Sequence, residues 1–214
     1  MARTSSKLLI IDVAEELMAL EGIDHISIRR VNEETGLSPA AVHYHFKNKS
    51  ELVSAVLLKH LRDEPQRNAM KNKLLHAPET LTAERLITAM LNPIATILLE
   101  DGIYGEYFAK LIAQLYSHKR QQLSESMPIE FQQMAELDFQ LFSLFKPELS
   151  AYELQTQFSF ISLCIVDAVA NFRETVQNIK TLDHNNSYLL DDELVVAKKR
   201  FLEQLHLFLV KAVA

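Results

Sequence analysis

A chain of 214 residues, 48% hydrophobic and 23% charged, is long enough to bury a full core, and its balance excludes disordered and fibrous classes. Only four glycines and six prolines argue for long helices and against a β-rich or linker-rich chain. The net charge of −6 excludes a uniformly basic nucleic-acid binder, but residues 1–75 hold 11 Lys+Arg against 10 Asp+Glu (+1) and residues 76–214 hold 11 against 18 (−7).

In chain order, residues 5–21 place Ile10, Val13, Ala14, Leu17 and Leu20 on one helical stripe, and Gly22 ends the run. Ser27 is an N-cap for a short helix that reaches Thr35, where Gly36 supplies the stop. Ser38 is a second N-cap with Pro39 at the first helical position, and this helix, 39–46, is about two turns long. Asn48 and Glu51 form a cap pair opening a third helix. Two short helices joined by a glycine-containing turn are the sequence form of a helix-turn-helix, whose second helix enters the DNA major groove. The third helix is expected to run from Lys49 to about residue 75, apolar at first and polar later, as a connector to a larger domain, with a break at 76–78.

The remainder reads as further amphipathic helices. One spans 80–100 with Pro93 inside, and Asp101-Gly102 closes it before a helix over 104–124. Another lies between Pro128 and Pro147. Ser150 and Glu153 form a capping box for a helix reaching about 178. A polar turn at 183–187 precedes a last helix from Asp191. The helix from 150 carries one apolar stripe (Leu154, Phe158, Ile161, Ile165, Ala168, Val169, Phe172) and a second set (Phe160, Leu163, Cys164, Val166), and the last helix is similarly rich, so this pair has apolar surface to spare. Cys164 is the only cysteine, which leaves no disulfide within the chain and fits a reducing cytoplasm. No stretch approaches the roughly 20 apolar residues of a membrane span, and the apolar run 8–11 is interrupted by Asp12, Glu15 and Glu16, unlike a signal peptide.

Residues 7–60 resemble the DNA-binding domain of the tetracycline-repressor (TetR) family of bacterial transcription regulators. The resemblance rests on Gly36, Leu37, Ser38, Pro39, Ala40, Ala41, Val42, His43, Tyr44, His45 and Phe46, followed by Lys49 and Leu52 at fixed spacing. It covers about a quarter of the chain, and it departs from the family pattern at His43, where tyrosine is commonest. It implies an all-α protein, with a three-helix helix-turn-helix domain over 1–48 and a connector plus helical ligand-binding and dimerisation domain over 49–214. By the same resemblance Pro39, Ala40, Ala41 and His43 face the bases, and His45 and Lys49 meet phosphates. Tyr44 borders the backbone, and Ser38 binds phosphate or caps the helix. The two alanines can only admit or touch thymine methyls, so His43 and Arg29 carry the polar readout. Arg3, Arg29, Arg30, Lys47 and Lys49 cluster near that surface, while Val31, Leu37, Val42 and Phe46 are core.

The resemblance further implies a homodimer through the last two long helices, a palindromic operator in double-stranded DNA, and a small-molecule effector. The candidate effector residues are polar or aromatic groups interrupting apolar faces: Tyr104, Tyr107, Phe108, Gln114, His118, Phe139, Phe142, Asp167 and Asn171. The apolar company implies an apolar or amphipathic ligand. Asp167 and Asn171, four apart on one face, could orient its polar end or bond across the dimer. The expected activity is that of a repressor released by its ligand, with an activator or a co-ligand-dependent repressor as alternatives. His43 and His45 lie two apart on a helix, point about 200° apart and cannot share a metal ion. No cofactor motif, phosphate loop, zinc pair or nucleophile elbow is present in the sequence, which leaves a helical enzyme as a remote reading.

Overall fold

The computed structural model describes residues 6–61, 64–117, 127–182 and 191–214. Among them are eleven α-helices, two 3-10 turns and no strand, so the all-α reading holds. Helix α1 (Ser6–Glu21) ends at Gly22, whose φ of 98° is a backbone state that glycine alone adopts readily. Helices α2 (Ile28–Thr35) and α3 (Pro39–His45) flank Gly36, which has φ 65°. Ser27 Oγ accepts from the Arg30 amide, as its position implied, and the Asn32 amide nitrogen donates to the carbonyls of Leu37 and Ser38, tying α2 to the turn. Helix α4 (Lys49–Lys59) opens on Asn48, which accepts from the Glu51 amide, while the Glu51 carboxylate accepts from the Lys47 amide.

The expected connector from 49 to 75 is two helices. Helix α4 stops at Lys59, a turn follows at His60 and Leu61, and α5 (Glu64–His76) begins with Pro65 in its first turn. Proline is accepted there and restricts the residue before it, a local signal that the helical periodicity does not carry. Nor is the second half merely polar, since Leu74 and Lys71 are fully buried.

Helix α6 (Ala83–Glu100) is capped by Thr82 and carries Pro93 inside it. Helices α7 (Gly102–Ser117) and α8 (Ile129–Phe145) follow. Helix α9 (Ala151–Ala170) has the expected capping box, but the long helix breaks at Asn171 and resumes as α10 (Phe172–Leu182). Helix α11 (Asp191–Val213) closes the chain, and the polar turn expected at 183–187 lies outside the described residues.

Two apolar clusters organise these helices. The first joins α1, α2, α3 and α4 through Ile10, Ala14, Val31, Val42 and Leu52, and runs on into Phe108 and Ile112 of α7. The second packs α5, α6, α8, α9 and α11 around Leu74, Leu86, Phe142 and Leu209. Each fully buried side chain of this kind contributes roughly 1.5–3 kcal/mol. Because α1 is wedged between α4 and α7, its buried face is Ile10, Ile11, Ala14, Leu17 and Met18; Val13 is only partly buried and Leu20 is exposed, contrary to the single stripe expected.

Polar ties lock the α6–α7 corner. Buried Lys198 of α11 donates to the Leu98 carbonyl at the end of α6 and pairs with Glu106 of α7 at 2.9 Å, while Arg173 of α10 makes two bonds to the same carboxylate. Burial works against the ionised form of Glu106, but Arg173 and Lys198 outweigh it and hold the carboxylate below its usual range.

Candidate nucleic-acid interface and effector cavity

The surface formed by α2 and α3 bears the residues expected to meet DNA. A groove between the two helices is lined by Ser27, Arg29, Asn32, Glu33 and His43, so Arg29 and His43, remote in sequence, share one surface. Arg29 is exposed and bonds Glu33 at 2.9 Å, an i,i+4 pair of little intrinsic strength. Arg30 is held between Glu34 and Glu21. Pro39 takes the first position of α3; Ala40 and His43 are exposed, Ala41 is half-buried and Tyr44 projects fully. Ser38 stands at the N-cap position but its hydroxyl makes no capping bond. His45 Nε2 lies 2.8 Å from the Ser6 hydroxyl, which ties the end of α3 to the start of α1. Lys49 donates to the Asp24 carbonyl; burial pushes its ammonium down, and Asp24 partly opposes that. Arg3 lies outside the described residues. Val31, Val42 and Phe46 are buried, and Leu37 packs partly against them.

The effector candidates disperse. Phe108 lines a cavity of about 100 Å³, partly open, bordered by Leu61 and by α5, α6, α7, α8 and α9. Gln114 points the other way: its oxygen accepts from the Ile23 amide at 2.7 Å and its nitrogen donates to the Met18 carbonyl, satisfying backbone groups left over where α1 ends. Tyr107 donates weakly to Glu16, also on α1, and Tyr104 lies under the Lys59 ammonium at 4.0 Å. Phe139 and Phe142 pack on Phe158. Asn171 donates to the Asp167 carboxylate on an exposed face. His118 lies outside the described residues.

Two further groups in the cavity escaped sequence reading. Lys71 of α5 and Asp138 of α8 both line it and face each other at 2.6 Å. The signal for Asp138 was its place on the apolar stripe formed by Phe131, Met134, Ala135 and Phe142 of α8. Burial pushes its carboxyl up, Lys71 pulls it back, and the balance leaves it at about 6.

A third polar group joins the two halves of the molecule. His60, buried at the end of α4, presents Nε2 to the buried Glu15 of α1 and Nδ1 to Asp101 at 2.8 Å, in the α6–α7 corner. Lys59 pairs with Asp12 and Glu15, each at 2.8 Å. Burial opposes the charge on Lys59, but both carboxylates outweigh it and hold its ammonium above its usual value.

The lone Cys164 is half-buried, and its thiol is pushed up by burial and by Asp167. Among the described residues no cluster of histidine, cysteine and carboxylate side chains suits a metal, and no helix is long and apolar enough to cross a membrane.

Residues 10–56 match the family described as "Bacterial regulatory proteins, tetR family". No curated protein matches the chain in sequence. Among solved structures, the chain is similar to BioQ of Mycobacterium smegmatis at 17% identity and TM-score 0.54, over 96% of this chain and 95% of that one. It is similar to the fatty acid degradation regulator FadR of Bacillus halodurans at 13% and 0.54, over 98% and 97%. The ketosteroid transcriptional regulator KstR2 of Mycobacterium tuberculosis aligns at 16% and 0.53, over 95% and 94%. At such identities the likeness is one of fold, and it extends over nearly the whole chain.

Proposed function

We propose that this chain, whose residues 10–56 match the tetR family of bacterial regulatory proteins and whose fold is shared with such regulators over nearly its whole length, is a dimeric transcriptional repressor released from a palindromic operator by a small amphipathic ligand. The reading keeps 1–48 as the DNA-binding domain and 49–214 as the connector, effector-binding and dimerisation part. The observation that carries it is the stretch His60-Leu61. His60 bonds Glu15 of the DNA-binding domain, and the next side chain, Leu61, lines the cavity. A ligand that reshapes the cavity therefore acts on the residue beside the joint. A ligand shifts the DNA-binding state only by its preference between two conformations, and the His60 joint gives such a preference a path.

Dimerisation is supported by apolar side chains that one chain leaves uncovered. Phe160 and Leu163 on α9, and Leu207 and Phe208 on α11, are all exposed, on helices that pack against each other. A second copy of the chain is the occupant we assign to them. It would set two α3 helices in successive major grooves, about 34–36 Å apart. Arg29, Ser38, Pro39, Ala40, Ala41, His43, Tyr44, His45 and Lys49 remain the DNA contacts of this proposal. We assign the chain no catalytic activity.

The decisive experiment is recovery and sequencing of genomic fragments bound by the purified protein without ligand. A shared palindrome supports a dimeric, sequence-specific repressor. Enrichment only on adding a ligand would favour the co-ligand-dependent form, and a folded dimer that enriches nothing under either condition would refute the DNA-binding role.

A further inference from the structure

A charged pair inside a mostly apolar cavity needs a reason. Lys71 is completely buried, and its ammonium meets Asp138 at 2.6 Å outside hydrogen-bonding geometry, so among the described residues no acceptor takes its N–H groups in good alignment. The facing Asp138 oxygen is likewise without a hydrogen bond. A buried ammonium with unspent donors is costly, and a hydrophobic pair of similar volume would serve packing as well or better. The remaining wall, including Met90, Ile94, Phe108 and Phe131, is mostly apolar, with Tyr116 and Ser162 its other polar side chains.

We propose that Lys71 is the headgroup anchor of the cavity and that the ligand class it selects is a small amphipathic carboxylate, whose anionic end takes the ammonium and whose tail lies along the apolar wall. This rests on the reading of the cavity as the effector site. The two partners are unequal in a way that favours an anion over a cation. Asp138 keeps 18% of its side chain exposed and can turn aside, whereas Lys71 has no exposure and must be satisfied where it stands. The Asp138 carboxyl, pushed up to about 6 by burial, also yields its charge more readily than an ordinary aspartate. Once neutral it offers an O–H to the incoming carboxylate. A cavity of about 100 Å³ lies well below the usual range of ligand pockets and so restricts its occupant to a small molecule. Since Lys71 and Asp138 join α5 to α8, an anion that takes over the ammonium loosens that contact, with Leu61 in the same wall.

The test uses octanoate, octanol and octylamine, which share a tail and differ in the head. Calorimetry measures affinity for the full-length protein, and NMR of methyl-labelled methionine locates binding through Met90 and Met134 in the cavity wall. The proposal expects octanoate to bind at least about tenfold more tightly than octanol, the effect of one charge-assisted hydrogen bond. Lys71→Met should abolish that preference, while Asp138→Asn should keep it. Should Lys71→Met fail to fold, the double variant K71M/D138N removes both charges together, and it should bind octanol and octanoate alike. Octanol or octylamine binding as tightly as octanoate would overturn the carboxylate inference while leaving the cavity as effector site. Octanoate binding indifferent to Lys71 would overturn the anchor. Failure of all three probes to move Met90 and Met134 would overturn the cavity reading itself, and this inference with it.

Discussion

A methyl group added at Gly105 tests the packing of α6 on α7 more sharply than any truncation. A Cβ built there lies 2.3 Å from the Ile97 carbonyl oxygen, 2.9 Å from its carbon and 3.0 Å from the Leu98 Cα. All three atoms are backbone, so no side-chain rotation relieves the overlap. To bring the first contact back to 3.0 Å the helices must part by at least about 0.7 Å. The same carbonyl accepts the Asp101 amide that ends α6, and Lys198 bonds the next one. Overpacking of this kind costs about 1–3 kcal/mol, with backbone-on-backbone overlap at the upper end, while alanine in a helix returns about 1 kcal/mol. The net loss for Gly105→Ala is about 2 kcal/mol, or a fall in Tm of about 4–8 °C for a chain of this size. Gly36→Ala is the instructive comparison, since nothing lies within 4 Å of its Cβ, and the cost of about 1–2 kcal/mol comes only from its φ of 65°. Thermal unfolding followed by circular dichroism checks both. An unchanged or raised Tm for Gly105→Ala would show that helix propensity outweighs the overlap, and the close crossing of α6 and α7 would be refuted.

Glu106→Gln should cost about 3–5 kcal/mol, because it leaves the buried Lys198 short of its counter-charge. The sign with pH is fixed: Glu106 is held below its ordinary value of 4.5, so its stabilisation is present above that pH and lost as pH falls through the lower folded value. Denaturant titrations at pH 7 and pH 3 should therefore differ less for the variant than for the parent. His43→Ala should cost about 1–3 kcal/mol on the preferred operator and little on other DNA, whereas Lys49→Ala should weaken all sequences alike and lower the salt slope by about one; fluorescence anisotropy with equal losses for both would contradict the assigned roles. Phe160→Asp with Phe208→Asp should give a folded monomer by light scattering with size exclusion, and a persistent dimer would place the interface elsewhere.

The helix-turn-helix was legible because its determinants are local. Ser27, Gly36, Pro39 and Asn48 act on backbone groups within a few residues of themselves, and the observed caps and positive φ values fall where those residues stand. The capping box of Ser150 and Glu153 was legible for the same reason. Helix continuity was not: the breaks after Lys59 and at Asn171 lie in stretches whose periodicity runs straight through, and at the first only Pro65 gave notice.

Sequence by itself therefore determined an all-helical chain with a helix-turn-helix near its start, since periodicity, caps and glycine stops are short-range facts. Tertiary structure decided what the buried polar groups face. Gln114 turned to the end of α1, His60 came between Glu15 and Asp101, and Lys71 met Asp138, partners 67 residues away in the chain. Such pairings depend on which helix faces pack together, and a charge buried on an apolar stripe marks only that some partner must be found.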